Sequence, residues 1–173
     1  MKTLALALCT VVLSACSLAS HDEPDASASL IETDQARYDA RLVTGGYEGV
    51  AFDVPFEIRN TTGGPLYRIG CRTAPAPSLQ KWVGGRWVTA YVPYDNLCLS
   101  PPFEIAPGGV AQDTLRVAGA FPGQDFRPEF RTEVAGTYRL YVELFSSLTD
   151  DRSPLGKDLA PMGARVSNTF EVE

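Results

Sequence analysis

The chain has 173 residues, and 45% of them are hydrophobic, enough to exclude wholesale disorder and to build one core. Asp and Glu total 21 against 15 Lys and Arg. Such an acidic chain repels phosphate backbones and anionic lipid, so neither a nucleic-acid partner nor a basic lipid-binding face is expected.

Met1-Lys2 is a minimal positive start, and Leu4 to Leu13 is an apolar run too short to cross a bilayer. Leu13-Ser14-Ala15-Cys16 follows and resembles the lipobox of bacterial lipoprotein signals at every position. The resemblance implies removal of residues 1–15 and a lipid anchor on Cys16, formed by a diacylglyceryl and an N-acyl group. More than one acyl chain is what stable anchoring requires. Lys2 is the only charged residue before Cys16, so cleavage takes the formal charge from −6 to −7. Ser17 stands where inner-membrane members of the family carry Asp, which favours the outer membrane of an envelope. The membrane is therefore expected as a partner only through this anchor.

Cys9 is lost with the signal and Cys16 is acylated. Cys71 and Cys98 remain in an oxidising compartment and are expected to form a disulfide. Closing that loop stabilises by about 3–4 kcal/mol in the chain-entropy model. Residues 16–29 comprise the lipidated Cys and a small, polar, acidic tether, and the folded body is expected over 30–173.

From residue 30 the pattern is β. Leu30 to Thr33 and Arg37 to Val43 are short extended candidates. Ala51 to Arg59 alternates, with Phe52, Val54, Phe56 and Ile58 on one face and Pro55 on the other, where it marks an edge or a break. Asn60 to Pro65 is a turn cluster, and Leu66 to Ile69 continues as a strand. Ser78 to Val83 and Arg86 to Tyr91 flank Gly84-Gly85, a two-residue hairpin signal. Val110 to Val117, Thr137 to Phe145 and Arg165 to Val172 complete the set, and no segment shows a sustained helical period.

About seven to nine short strands separated by turns predict an all-β fold, a single antiparallel β-sandwich. Gly136-Thr137-Tyr138 resembles the tyrosine corner of immunoglobulin-like folds, whose hydroxyl bonds to backbone just upstream. The same stretch, together with Val54-Pro55-Phe56, the Gly84-Gly85-Arg86-Trp87-Val88 hairpin and Ile105-Ala106-Pro107-Gly108-Gly109, resembles bacterial lipoproteins with immunoglobulin-like domains. It is distantly similar to the small β-sandwich type of proteinase inhibitor. These are turn and core motifs, so they imply a fold and carry no functional residue.

The chemistry is mostly excluded. The single histidine, His21, lies in the tether, which leaves the body without a His-based acid–base pair, nucleophile pair or metal site. After cleavage only Lys81 and Lys157 could replace it as a base. A Ser153–Lys157 pair is conceivable, but a solvated loop is the simpler reading. Glu104, Glu129, Glu133 and Glu143 cannot be placed at a separation that glycoside hydrolysis needs. Asp150-Asp151 lacks the surrounding oxygen ligands of a Ca²⁺ loop. No glycine-rich loop opens a helix, so no nucleotide or other cofactor is expected.

Three features remain as binding candidates. The loop 146–164 carries Asp150, Asp151, Arg152 and Lys157 and is expected beside the Asn60–Pro65 turn at one end of the sandwich. The loop 118–135, with Phe121, Phe126 and Phe130, is expected at the other end, packed over an edge. Trp82 and Trp87 are expected to pair across the hairpin. Lys81 and Arg86 mark the opposite face as the solvent side, so the indoles are expected to cover the core, the alternative being an exposed platform for a sugar or peptide. The functional expectation is a non-enzymatic envelope module with a protein or peptide partner. The alternatives are an envelope protease inhibitor and a carboxylate-based hydrolase of envelope carbohydrate.

Overall fold

The computed structural model describes residues 29–68, 77–93, 102–148 and 158–173. Its described part is almost entirely β. Twelve strands run in chain order: β1 (Ile31–Thr33), β2 (Arg37–Tyr38), β3 (Arg41–Val43), β4 (Gly49–Arg59), β5 (Leu66–Arg68), β6 (Ser78–Val83), β7 (Arg86–Tyr91), β8 (Phe103–Ile105), β9 (Val110–Ala120), β10 (Gly136–Tyr141), β11 (Leu144–Phe145) and β12 (Phe170–Val172). One 3₁₀ turn occupies Met162–Arg165. Among the described residues no helix is long and apolar enough to cross a membrane.

The strands form three sheets. In the first, β4 pairs with β9 along its whole length on one side; on the other it meets β1 at Phe56–Ile58 and β3 at Gly49–Ala51. Pro55 sits where the partner changes, and its carbonyl accepts from Asp34 N–H. Its missing donor falls where no ladder bond is required, the break expected at this proline. The second sheet runs β2-β12-β10-β6-β7, antiparallel except for β2 against β12. The third is the small sheet β11-β5-β8.

Strand alternation produces the core. Val50, Phe52, Val54, Phe56 and Ile58 of β4, with Leu115 and Val117 of β9, face Leu79, Tyr91, Tyr138, Leu140, Phe170 and Val172 of the second sheet in one continuous cluster. The expected count of seven to nine strands is too low, for three reasons. Arg37 to Val43 divides between two sheets as β2 and β3. Thr137 to Phe145 divides as β10 and β11, because Tyr141 pairs with Ser78 while Leu144 pairs with Arg68, and residues 69–77 intervene on the partner side. β8 has a single buried residue, Ile105, too little for an alternation signal. At the end of the chain, Arg165 belongs to the 3₁₀ turn, and the last strand starts at Phe170.

Tyr138 makes the expected corner. Its fully buried phenol donates to the carbonyl of Val134 and lies 3.3 Å from that of Glu133. Lys81 reaches the same Glu133 carbonyl and lies over the Tyr138 ring. Gly136 is obligatory here: its φ is 141°, and a Cβ would sit 2.7 Å from Lys81 Cε.

Candidate functional site

The Gly84-Gly85 turn has φ values of 57° and 82°, the left-handed pair that a two-residue hairpin requires. It sets Val83 opposite Arg86 and Trp82 opposite Trp87. The indole centroids lie 5.1 Å apart at an interplanar angle of 60°. The expected cross-strand pair is therefore present.

Its face is the reverse of the expected one. Leu79 is fully buried and Lys81 is 8% exposed, whereas Trp82 is 39% exposed. Leu79 and Lys81 pair with Leu140 and Tyr138 on the core side, so Gln80 and Trp82 project from the outer face. Lys81 misleads because its stem lies in the core while its ammonium reaches the rim and finds the Glu133 carbonyl. Burial lowers its pKa, and Glu133 partly restores it. Arg86 misleads because it lies at the exposed hairpin tip, past the end of the core.

The outer face then assembles from strands distant in sequence. Arg139 pairs in register with Gln80, donates to its Oε1 at 2.8 Å, and holds its guanidinium carbon 4.4 Å from the Trp87 ring centroid. Thr89 lies opposite Gln80, and Thr137 donates to Glu171 at 2.7 Å. Two residues beyond Arg139, Tyr141 carries the Arg165 guanidinium over its ring and accepts from Arg165 Nη1. Trp87 Nε1 and Arg165 Nε are buried and without a hydrogen-bond partner. Sequence reasoning missed Arg139, Gln80, Tyr141 and Arg165. Their shared face depends on the pairing of β6 with β10, a contact between distant segments that no local pattern announces.

The other candidates lie elsewhere. Asp150, Asp151, Arg152 and Lys157 are outside the described residues, as are Cys16, Cys71 and Cys98. The stem of that loop is defined: Ser146 N–H donates to the Asp158 carbonyl and Ser147 Oγ to Asp158 Oδ2. β5, which follows the Asn60–Pro65 turn, pairs with β11, so stem and turn share one end as expected. The turn is occupied with itself. Asn60 is fully buried, donates to Gly64 and Ile105 carbonyls, and accepts from Thr62. In the 118–135 loop, Phe130 is fully buried and Phe121 packs against the core, while Phe126 stacks on Tyr47 at 4.0 Å and stays partly exposed.

An open groove of about 620 Å³ crosses β1, β4 and β9, lined by Glu32, Asp34, Glu57 and Asp113 among others. Three of these carboxylates are engaged. Asp34 accepts from the Tyr38 hydroxyl, Glu57 pairs with Arg59, and Asp113 pairs with the buried Arg68 at 3.3 Å. Among the described residues, no group of three or more His, Cys, Asp or Glu side chains is placed to hold a metal ion.

Neither a protein-family model nor a curated protein matches the chain. Among solved structures it is similar to an alkylpurine DNA glycosylase of Pseudomonas fluorescens bound to DNA containing an abasic-site analogue. The likeness has 9% identity and a TM-score of 0.31, and covers 84% of this chain and 31% of that one. The chain thus spans under a third of that protein, and a likeness at this level carries no argument.

Proposed function

We propose that the chain is a lipid-anchored envelope protein whose body is an immunoglobulin-like sandwich acting as a non-catalytic binding module. The fold reading is supported by the N-terminal strands dividing between two sheets, β1 antiparallel to β4 and β2 parallel to β12, and by the Tyr138 corner. The anchor reading is supported by the lipobox at Leu13–Cys16.

The observation that carries the binding reading is the outward Trp82–Trp87 pair, flanked by Gln80, Thr89 and Arg139 on one sheet face. A solvent-facing indole, that of Trp82, set among polar side chains is the composition of a contact surface. Lys81 bonds the corner, and Asp34, Glu57 and Asp113 of the groove are engaged by Tyr38, Arg59 and Arg68.

Photo-crosslinking tests this. Benzoylphenylalanine placed at Thr89 is expected to form adducts in the intact envelope, and placed at Gln112 on the outer face of the first sheet it is expected to form none. Adducts from Gln112 alone would overturn the assignment. The carboxylate groove favours a second reading, a hydrolase acting on envelope carbohydrate. That reading requires release of reducing ends by the wild-type chain and its loss in Glu57→Gln.

A further inference from the structure

We propose that the outer face around Trp82 and Trp87 binds a neutral oligosaccharide chain; this rests on the binding-module reading and names its ligand class. A pyranose ring has an apolar C–H face and a rim of hydroxyls. The exposed Trp82 indole matches the first. The half-exposed Gln80 and Thr89 beside it match the second. Gln80 turns its carbonyl oxygen to Arg139, and its amide nitrogen is the donor that remains for a ligand.

Charge points the same way. Glu171 accepts from Thr137, and Arg139 is bonded to Gln80 and stacked on Trp87. Arg139 is only 7% exposed, so the groups this face presents beside Trp82 are the uncharged Gln80 and Thr89, and their complement is an uncharged, hydroxyl-rich partner and not an ionic peptide or an anionic bilayer.

The hairpin is also distant from the point where the described chain begins. Ser29 Oγ donates to the Val166 carbonyl, and Val166 bridges Tyr141. The chain leading from Cys16 therefore joins the body at the Tyr141 end of β10. Since Tyr138 pairs with Lys81, the hairpin tip lies beyond Gly136 at the other end of that strand. Five residues of strand separate the two levels, about 17 Å. The hairpin tip and Ser29, where the described chain begins, thus lie at opposite ends of β10.

Trp82 and Trp87 are the only tryptophans in the chain, so indole emission reports this site alone. The full lipidated protein, reconstituted in phosphatidylcholine–phosphatidylglycerol vesicles, is titrated with tetrasaccharides of β-1,4-linked N-acetylglucosamine, β-1,4-linked glucose and α-1,4-linked glucose. At least one is expected to shift the emission saturably. Trp82→Ala is expected to weaken that binding about tenfold or more, and Trp82→Phe, which keeps an aromatic plate, about threefold or less. An unchanged thermal midpoint shows that each variant is folded. Emission indifferent to all three sugars overturns the proposal, as does quenching by nitroxide lipids in the same vesicles. If the sugars fail while Thr89 crosslinking still yields adducts, only the ligand class falls; if both fail, the binding reading falls with it.

Discussion

The hydroxyl of Tyr138 decides one corner of the molecule. It is buried, and its bonds to the Val134 and Glu133 carbonyls replace what water would supply. Tyr138→Phe strands the Val134 carbonyl, while Lys81 still reaches that of Glu133, and the expected loss is about 1–3 kcal/mol, read from urea unfolding. Burial also raises the pKa of the Tyr38, Tyr91 and Tyr138 phenols, that of Tyr38 to about 12 with its bond to Asp34 adding to the effect. A phenol with a raised folded pKa stabilises fully below its unfolded value, about 10, and loses that contribution as pH rises through the folded value. Lys81, lowered by burial, acts with the opposite sign. The thermal midpoint is therefore expected to fall between pH 10 and 12, and the fall should be shallower in Tyr38→Phe. A midpoint flat across that window would contradict the packing assigned to these phenols. The Tyr138 corner was legible in the sequence because donor and acceptor lie four residues apart. The burial of Lys81 was not, because residue type alone does not say where a long side chain ends.

At the scale of elements, the extent of the β6–β7 hairpin was legible: both strands have the expected bounds, and two glycines in left-handed backbone join them. Replacing both with alanine is expected to cost about 1–2 kcal/mol each and to lower the thermal midpoint. Gly136→Ala should cost more than either, because a Cβ there also meets Lys81. Equal costs at all three positions would count against the Lys81 contact. Which face of the hairpin turns inward was not legible, since it follows from pairing with β10 some fifty residues downstream. Pairing of distant segments also bears on the cysteines. Arg68 lies opposite Phe103, and both cysteines fall outside the described residues between them. Peptide mapping without reduction is expected to recover a linked Cys71–Cys98 pair, and free thiols at both would contradict it.

For the whole molecule, the alternation of apolar residues announced an all-β body, and the described residues are almost entirely β. What alternation could not supply was the number of sheets, because short strands such as β2, β3 and β8 are assigned by their partners and not by their own composition. The two halves of the functional account are separable. Cys16→Ser is expected to release the protein from membranes into the soluble envelope fraction with an unchanged midpoint, as checked by fractionation and mass. The more direct measurement concerns the exposed hairpin. Washed, lipid-free envelope polymer is mixed with the detergent-solubilised chain, wild type beside Trp82→Ala, and sedimented. The outward indole pair predicts that the wild type sediments with the polymer and that the variant stays about tenfold more in solution while retaining its β spectrum. Equal sedimentation of the two would contradict a binding face centred on Trp82.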